Sequence, residues 1–372
     1  MRLLRVQVPE FRALKDVDIS FEPDFTPQVF PLGSLNGGGK STLLQLIFVL
    51  LNSHKLSLLQ NMLSEIKLND NEVHRLATIT LLINDEEIQL AYFYGDPAAF
   101  DNFYGERERE NDFLGYVFCQ LGISDKGLLM GHISSDKIFN KEANGIIIAQ
   151  IIHDFIKKIS KNIHLIAPSN QPYLFLSREE RRALFTANNK SQYDQAVKNA
   201  QEKLPNFFTF DFVDVLVEVF RRARAKDFKE RNKNNPFAYT EKLESDINSL
   251  FIDGKKISSL IIEQQRHTED EIQGIFFTLP SGQKIYPEDL SHGELKRLAI
   301  FVLIKYHEMQ DAIVLIDEIE NGFHLDWQYT IVRNLVEWGK NNQYILATHS
   351  YELCTAVTPA HVKEIEPKLT TK

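Results

Sequence analysis

Asn36-Gly37-Gly38-Gly39-Lys40-Ser41-Thr42 is the stretch on which the reading of this chain turns. Residues 28–32 before it have the character of a short apolar strand, and an unbroken apolar helix runs from Lys40 to about Leu51 after it. Strand, glycine-rich loop and helix in that order are the setting of a phosphate-binding loop. Glycines let backbone N–H groups turn inward against phosphate oxygens, and the helix N-terminus adds partial positive charge. Lys40 would reach the β and γ oxygens, and Ser41 would offer its hydroxyl to Mg2+. The full pattern has a glycine six residues before the lysine; Ser34 stands there, with Gly33 one place earlier.

On the N-terminal side, Leu4, Val6 and Val8, then Val17, Ile19 and Phe21, alternate with polar neighbours as strands do. Pro31 predicts that the strand leading into the loop stops early. Beyond the first helix, residues 77–83 and 87–94 alternate again around Asn84-Asp85-Glu86, a predicted hairpin. The last hundred residues return to strand and helix in turn. Residues 274–279, 312–316 and 343–347 are predicted strands; residues 294–310 and 327–338 are predicted helices, the second stopped by Gly339. Such alternation implies an α/β fold whose mainly parallel sheet is covered on both faces.

Two further motifs sharpen the chemistry. The apolar run from Ala312 ends in Asp317-Glu318, placing two carboxylates at the carboxyl edge of the sheet, where ligands of open α/β sheets bind. Asp317 fits a Mg2+ ligand, and Glu318 fits a base that orients the attacking water. Leu290-Ser291-His292-Gly293-Glu294 opens a helix with Ser291 and Glu294 spaced as a capping box. Any helix could begin so, but the same turn is an anion site, and it lies 26 residues before Asp317.

Composition excludes several classes. The 372 residues are 43% apolar and 25% charged, near the globular average, which argues against disorder and fibrous repeats. A net charge of −9, from 42 Lys and Arg against 51 Asp and Glu, argues against a surface that coats nucleic acid throughout. Cys119 and Cys354 are the two cysteines, so a disulfide framework is excluded and a reducing compartment is the default. No apolar run is long enough to span a bilayer, and residues 1–10 lack a signal-peptide core, so a soluble, cytoplasmic protein without membrane contact is expected.

Taken in order, the phosphate loop, Leu-Ser-His-Gly-Glu, the Asp317-Glu318 strand and Ala347-Thr348-His349-Ser350 resemble the ABC-type ATPase superfamily. The stretch from Ile316 to His324, with Thr348-His349-Ser350, is more similar to one branch of it. That branch holds the OLD-like and RecF/SMC-like AAA ATPases, among them the ATPase subunits of Septu and retron-associated anti-phage systems. Residues 11–19 resemble the branch's N-terminal strand pair, and the likeness covers roughly residues 1–95 and 275–360.

The resemblance implies a P-loop NTPase head with a mainly parallel sheet, an antiparallel β subdomain and a helical insert. The N-terminal lobe would be 1–95, the insert 96–274 and the C-terminal lobe 275–372. It implies ATP and Mg2+ as ligands and a head-to-tail homodimer or higher oligomer. Asn36, Gly37, Gly38, Gly39, Lys40, Ser41 and Thr42 would hold the nucleotide, and Ser291 and Gly293 would touch the γ-phosphate bound by the partner copy. His349 matches the switch histidine, the 321–326 loop matches the link between the two sites, and Gln171 is the candidate for a Mg2+-sensing glutamine. Departures from the family pattern are Ser34, His292 where glycine is commoner, and Gly322 where the branch often has histidine.

Lys40 and Ser291 lie 251 residues apart, which demands a subdomain between them. Within it, residues 221–233 carry seven basic and two acidic side chains. Arg221, Arg222 and Arg224 would contact a phosphodiester backbone, or else form a solvated helix face or meet an acidic partner. Arg178, Arg181 and Arg182 follow Ser177 and read first as a capped helix start, second as a ligand site. Phe207, Phe208, Phe210 and Phe212 read as core or interface, and the histidines outside the motifs lack metal-ligand spacing. Only about twenty residues follow His349, so no nuclease or TOPRIM domain is expected after it. The leading expectation is a switch ATPase that controls a separate effector, a nuclease or retron component. A DNA-repair ATPase of RecF/SMC type is the alternative, and a transporter subunit is disfavoured by the long insert.

Overall fold

A computed structural model of the chain describes residues 1–33, 37–63, 66, 72–100, 103, 116–124, 127–134, 145–186, 190–210, 213–230, 235–251, 253–259, 275–307 and 309–365. The strands are β1 (Arg2–Phe11), β2 (Leu14–Ser20), β3 (Val29–Gly33), β4 (Val73–Ile83), β5 (Glu86–Gly95), β6 (Tyr116–Ser124), β7 (Gly127–Ser134), β8 (Ile163–Ala167), β9 (Phe207–Thr209), β10 (Lys256–Ser259), β11 (Ile275–Thr278), β12 (Lys284–Ile285), β13 (Ile313–Asp317), β14 (Gln343–Ala347) and β15 (Lys363–Glu364). The longer helices are α1 (Lys40–Leu51), α2 (Leu56–Leu63), α3 (Gly145–Ser160), α4 (Arg178–Ala183), α5 (Lys190–Lys203), α6 (Val213–Glu230), α7 (Ala238–Asn248), α8 (His292–Tyr306), α9 (Leu325–Trp338) and α10 (Tyr351–Thr355).

A six-stranded sheet in the order β15-β3-β14-β13-β8-β9 is parallel at every pairing. β8, β13 and β14 are buried at all five positions, as strands covered on both faces must be. Their alternation divides two cores. Ile313, Leu315, Leu165 and Ile345 pack on the α1 side, whereas Val314, Ile316, Ile166 and Leu346 pack on the α8 side. Each such aliphatic side chain, fully buried, stabilises by about 2 kcal/mol before entropy is counted.

A second sheet, antiparallel in the order β2-β1-β4-β5-β7-β6, lies on the far side of α1. α1 therefore sits between two sheets, which explains why residues 43–51 are buried all round rather than along one stripe. Tyr92 of β5 donates to the Leu50 carbonyl at 2.9 Å. Buried Gln343 of β14 joins the sheets directly, accepting from Leu3 N at 2.7 Å and donating to Leu3 O at 3.0 Å. The predicted β4–β5 hairpin is present, with Asn84 and Asp85 both left-handed (φ 50° and 63°) as a two-residue turn requires.

Two expectations differ from what the chain does. β3 does not stop at Pro31 but runs to Gly33, between β15 and β14. Gln28 O accepts from Tyr344 N and Gly33 O accepts from Ile365 N, so alternation turns residue 31 toward β15, which pairs only from Leu32 onward. The missing proline N–H thus costs no ladder bond. The stretch 96–274, expected as a helical insert, holds strands beside its helices. β6 and β7 extend the antiparallel sheet beside β5, and β8 and β9 complete the parallel one. Helices α3 to α5 are threaded between strands of the two sheets, α6 and α7 follow β9, and β10 opens a small third sheet with β11 and β12. Phe207, Phe208 and Phe210 are core residues, as expected, whereas Phe212 lies outside the described residues.

Candidate active site

β3 ends at Gly33 and α1 begins at Lys40, so the phosphate loop leaves the carboxyl edge of the parallel sheet. Ser34 and the expected nucleotide ligand Asn36 lie outside the described residues. Gly39, the N-cap, has φ +89°, and a Cβ there would fall 2.6 Å from Leu14 Cδ2. Glycine is required at that position both by conformation and by space. Leu43 N donates to Gly39 O at 2.8 Å, so the amides of Lys40, Ser41 and Thr42 are the first-turn donors without an acceptor inside the helix. Three such amides and a helix dipole form an anion-binding end. Lys40, 6% exposed, places Nζ 3.3 Å from His349 Nδ1. Burial lowers its pKa, and Glu320, Asp317 and Cys354 act against that.

Asp317 closes β13 and is 1% exposed. Ser41 Oγ donates to its Oδ1 at 3.0 Å. Burial raises the Asp317 pKa to about 6; Glu318 adds to the rise, and the Ser41 and Gln171 side chains oppose it. Oδ2 of Asp317 and Nε2 of Gln171 are both buried and neither is in a well-formed hydrogen bond, although the Gln171 amide is near enough to favour the Asp317 carboxylate. Gln171 arrives from the loop after β8, which is fastened from several directions. Leu174 N donates to Gln45 Oε1 of α1 at 2.8 Å, Asn61 Nδ2 to Phe175 O at 2.8 Å, and the Tyr193 hydroxyl to the Gln171 carbonyl.

A hydroxyl, a carboxylate and an amide converging on a buried, unsatisfied spot suit a hard cation such as Mg2+, which takes few protein oxygens and completes its shell with water and phosphate. Ser41, Asp317 and Gln171 would hold it, and it would supply charge neutralisation between phosphate oxygens. Among the described residues no cluster of three or more His, Cys, Asp or Glu offers a competing metal site.

A pH dependence follows from the raised Asp317 pKa. The folded state holds that proton more tightly than the unfolded chain, so this group's favourable contribution is complete below about pH 4 and is lost as pH rises through about 6. Above that, a buried carboxylate is left with incomplete compensation, which a divalent cation relieves. Millimolar Mg2+ is therefore expected to raise the melting temperature more at pH 8 than at pH 5. Asp317→Asn should remove that difference. Equal Mg2+ shifts at both pH values in the parent chain would place the cation elsewhere.

Glu318 follows with φ +49°, a left-handed conformation that non-glycine residues adopt at a cost. Its Oε2 accepts from Asn321 Nδ2 at 2.6 Å. His349 stands two residues after β14 as an exposed residue, and its backbone N–H donates to Glu320 Oε1 at 2.6 Å. Thr348 and Ser350 secure the neighbouring turn: Ser350 N donates to Thr348 Oγ1 at 3.0 Å, and Ser350 Oγ caps α10. Lys40, Ser41, Asp317, Gln171 and His349 therefore meet at one sheet edge, drawn from four segments of chain.

Ser291 and Gly293 open α8. The capping box expected from sequence is formed, with Glu294 N donating to Ser291 Oγ at 3.4 Å and Ser291 N to Glu294 Oε2 at 3.0 Å. Ser291 and His292 are exposed, so the turn is open to a ligand from outside. Gly293 is buried against the loop after β13: a Cβ on it would lie 2.2 Å from Gly322 O. The two departures from the family pattern meet here, since a Cβ on Gly322 would lie 2.5 Å from His292 Cδ2. The ring at 292 fills the space a side chain at 322 would need.

Sequence reasoning missed Glu320 and Lys296. Glu320 is 9% exposed, holds the His349 amide and leaves Oε2 unpaired beside the Lys40 site. It stands in the acidic run Asp317-Glu318-Ile319-Glu320, a signal that could have found it. Lys296 is 2% exposed on α8, at i−3 and i−4 from buried Ala299 and Ile300, a lysine on the apolar face of its helix.

The basic cluster is less positive than its composition implies. Arg221 and Arg222 both pair with Glu218, at 2.8 and 2.9 Å, and Asp227 is spent on the start of α7 through Tyr239 N and Thr240 N. Arg224 shares the same helix, and Arg231 and Lys233 lie outside the described residues. Ser177 caps α4 with a Ser177–Glu180 box, the first of the two readings expected for that stretch.

The model of the AAA ATPase domain matches residues 1–354. The chain belongs to the AAA ATPase domain family. Over 54 residues it is 49% identical to the Retron Vc95 probable ATPase of Vibrio cholerae serotype O1 biovar El Tor, a match taking in 14% of this chain and 10% of that relative. Solved structures similar to it include the SMC head domain from Thermotoga maritima, 13% identical with a TM-score of 0.43 over 96% of this chain and 92% of that one. Another is the Smc head domain of Pyrococcus furiosus bound to the C-terminal domain of ScpA, 16% identical with a TM-score of 0.45 over 95% and 91%. This AAA ATPase has an α/β fold, and its candidate site residues come from both ends of the chain and from the loop after β8.

Proposed function

We propose that this AAA ATPase is a Mg2+-dependent ATP hydrolase that dimerises around ATP and acts as the switch subunit of a prokaryotic anti-phage complex, controlling a separate effector. The observation that carries the ATP chemistry is buried Asp317, paired with Ser41 at the start of α1, with two polar atoms, Asp317 Oδ2 and Gln171 Nε2, in no well-formed hydrogen bond. Lys40 and the α1 amides would hold the phosphates, Glu318 would orient the attacking water, and His349 would meet the γ-phosphate. Positioning and charge stabilisation supply most of the catalysis in phosphoryl transfer, and these groups provide both.

Ser291 is exposed at a capped helix start, which supports a role in trans on the nucleotide of a second copy. Triphosphate would bridge the copies through charge-assisted hydrogen bonds and diphosphate would not, so turnover would open the dimer. Ser291→Arg is expected to retain nucleotide binding while losing both the ATP-dependent dimer and turnover, read by analytical ultracentrifugation and phosphate release. An ATP-dependent dimer that survives in this variant would sink the trans role.

The defence role is supported by the name of the retron relative, and affinity purification of the tagged chain from its own host tests it. A nuclease or reverse transcriptase recovered with the chain is the expected result. Direct nucleic-acid contact through Arg221, Arg222 and Arg224 would have to displace Glu218 from its two arginines, so we expect it to be weak and strongly salt-sensitive. No helix among the described residues is long and apolar enough to cross a membrane.

A further inference from the structure

We propose that Lys296 is a positioning residue for ATP turnover: its buried ammonium clamps the 318–321 turn to α8, so that the aim of Glu318 and the placement of Ser291 are set together. This rests on the ATPase reading given above and assigns one more residue to the same site.

Lys296 projects from the second turn of α8, five residues after Ser291, into a space with almost no access to water. Its Nζ donates to the Glu318 carbonyl and, at 3.1 Å, to the Asn321 carbonyl. The Phe210 ring lies 4.2 Å from Nζ and the Phe323 ring 5.7 Å, so aromatic faces supply the rest of the ammonium's surroundings. A buried charge is retained only where its surroundings satisfy it, and here two backbone carbonyls of one turn do so.

That turn carries the proposed base. Asn321 N donates to Glu318 O at 3.2 Å, closing it, and Asn321 Nδ2 holds the Glu318 carboxylate at 2.6 Å. Lys296 therefore grips the carbonyls of both residues: the one that bears the carboxylate and the one whose amide aims it. The left-handed backbone at Glu318 is unfavourable alone, and the ammonium on its carbonyl opposes relaxation to an extended conformation. The same helix start presses on the same loop through Gly293 and Gly322, where no Cβ fits on either side. Glu320, one residue before Asn321, holds the His349 amide and acts on Lys296 through its field. An unbroken run of contacts thus joins α8 to the base and to the switch histidine within one copy. In a dimer closed around ATP, the serine that serves one nucleotide would be fixed to the base that serves the other.

The test uses the full-length chain and the variants Lys296→Met and Lys296→Gln. Methionine keeps length and apolar bulk but cannot donate; glutamine keeps two donors without charge. Loss of two charge-assisted hydrogen bonds predicts that kcat of Lys296→Met falls by about 10- to 100-fold. The dissociation constant for a fluorescent ATP analogue should stay within about threefold, because Lys40 and the α1 amides are untouched. Lys296→Gln should recover part of the lost kcat, and it stands alone as the test if the methionine variant does not fold. In a Glu318→Gln background, Lys296→Met should cost no further turnover, since both changes act on one base. Full kcat in the folded variants, nucleotide affinity lost in parallel with kcat, or costs that multiply would each overturn the proposal. A parent chain that binds ATP but never hydrolyses it would instead overturn the ATPase reading itself.

Discussion

Glu318→Gln is expected to bind ATP as the parent does, to lose turnover by about 100- to 10,000-fold and to accumulate as a closed dimer. The substitution keeps the size of the side chain and its contact with Asn321, so the 318–321 turn and the Lys296 clamp have no reason to move. What it removes is the carboxylate's ability to orient and polarise water. Nucleotide binding depends on groups elsewhere: the α1 amides, Lys40 and the Ser41–Asp317 pair. With hydrolysis blocked, the bridging triphosphate persists and the dimer cannot reopen. Phosphate release, equilibrium binding and sedimentation in the presence of ATP read the three parts separately. Substantial residual turnover would move the base to another carboxylate, and Glu320, with its unpaired Oε2, is the first to test.

Lys40→Ala is expected to act one step earlier, weakening nucleotide binding itself by about 10- to 100-fold, the loss of a charge-assisted hydrogen bond to phosphate. Without nucleotide, the Lys40 ammonium is held between the His349 ring and the fields of Glu320 and Asp317. A phosphate anion would draw it off His349 and free that ring for the same phosphate. Removing the ammonium takes away the positive charge on which Glu320 and Asp317 both act, so the incoming phosphate meets an Asp317 carboxylate that is ionised above about pH 6, and the loss should be greater above that pH than below it. Isothermal titration with ATP at both pH values measures this. Unchanged affinity would mean that the loop cradles phosphate by its amides alone.

The two expectations divide the site as the structure does. Lys40 is joined to His349 and through it to Glu320, and Ser41 to Asp317, whereas the Glu318 carboxylate is held by Asn321 and its carbonyl by Lys296 of α8. Binding and turnover should therefore be separable by mutation.

Much of this was legible in the residues. Gly37, Gly39, Lys40 and Ser41 announce a phosphate loop because backbone conformation and helix polarity are local properties, settled within a few positions. The buried strands β13 and β14 read directly from their apolar runs, and Ser291 with Glu294 reads as a cap that the fold forms as expected. Gln171 is a candidate through the family resemblance alone. Its place beside Asp317 depends on Gln45, Asn61 and Tyr193, residues from three other segments that fasten its loop. A helical insert over 96–274 follows only from the family resemblance and the 251-residue spacing of Lys40 and Ser291, whereas strands such as β9, three residues long, carry too little pattern to declare which sheet they join.

By itself, then, the sequence determined the loop, the acidic strand end, the capped serine and the order in which they occur, since each is built from neighbours along the chain. The tertiary structure alone decided that Lys296 would reach the carbonyls of Glu318 and Asn321, that Glu320 would hold His349, and that His292 would occupy the space left by Gly322. Those contacts join segments 22 to 30 residues apart, and their energies appear only once the parallel sheet has set β13 beside β14 and laid α8 against the loop that follows β13. A local pattern carries no record of which distant partner will satisfy a buried charge.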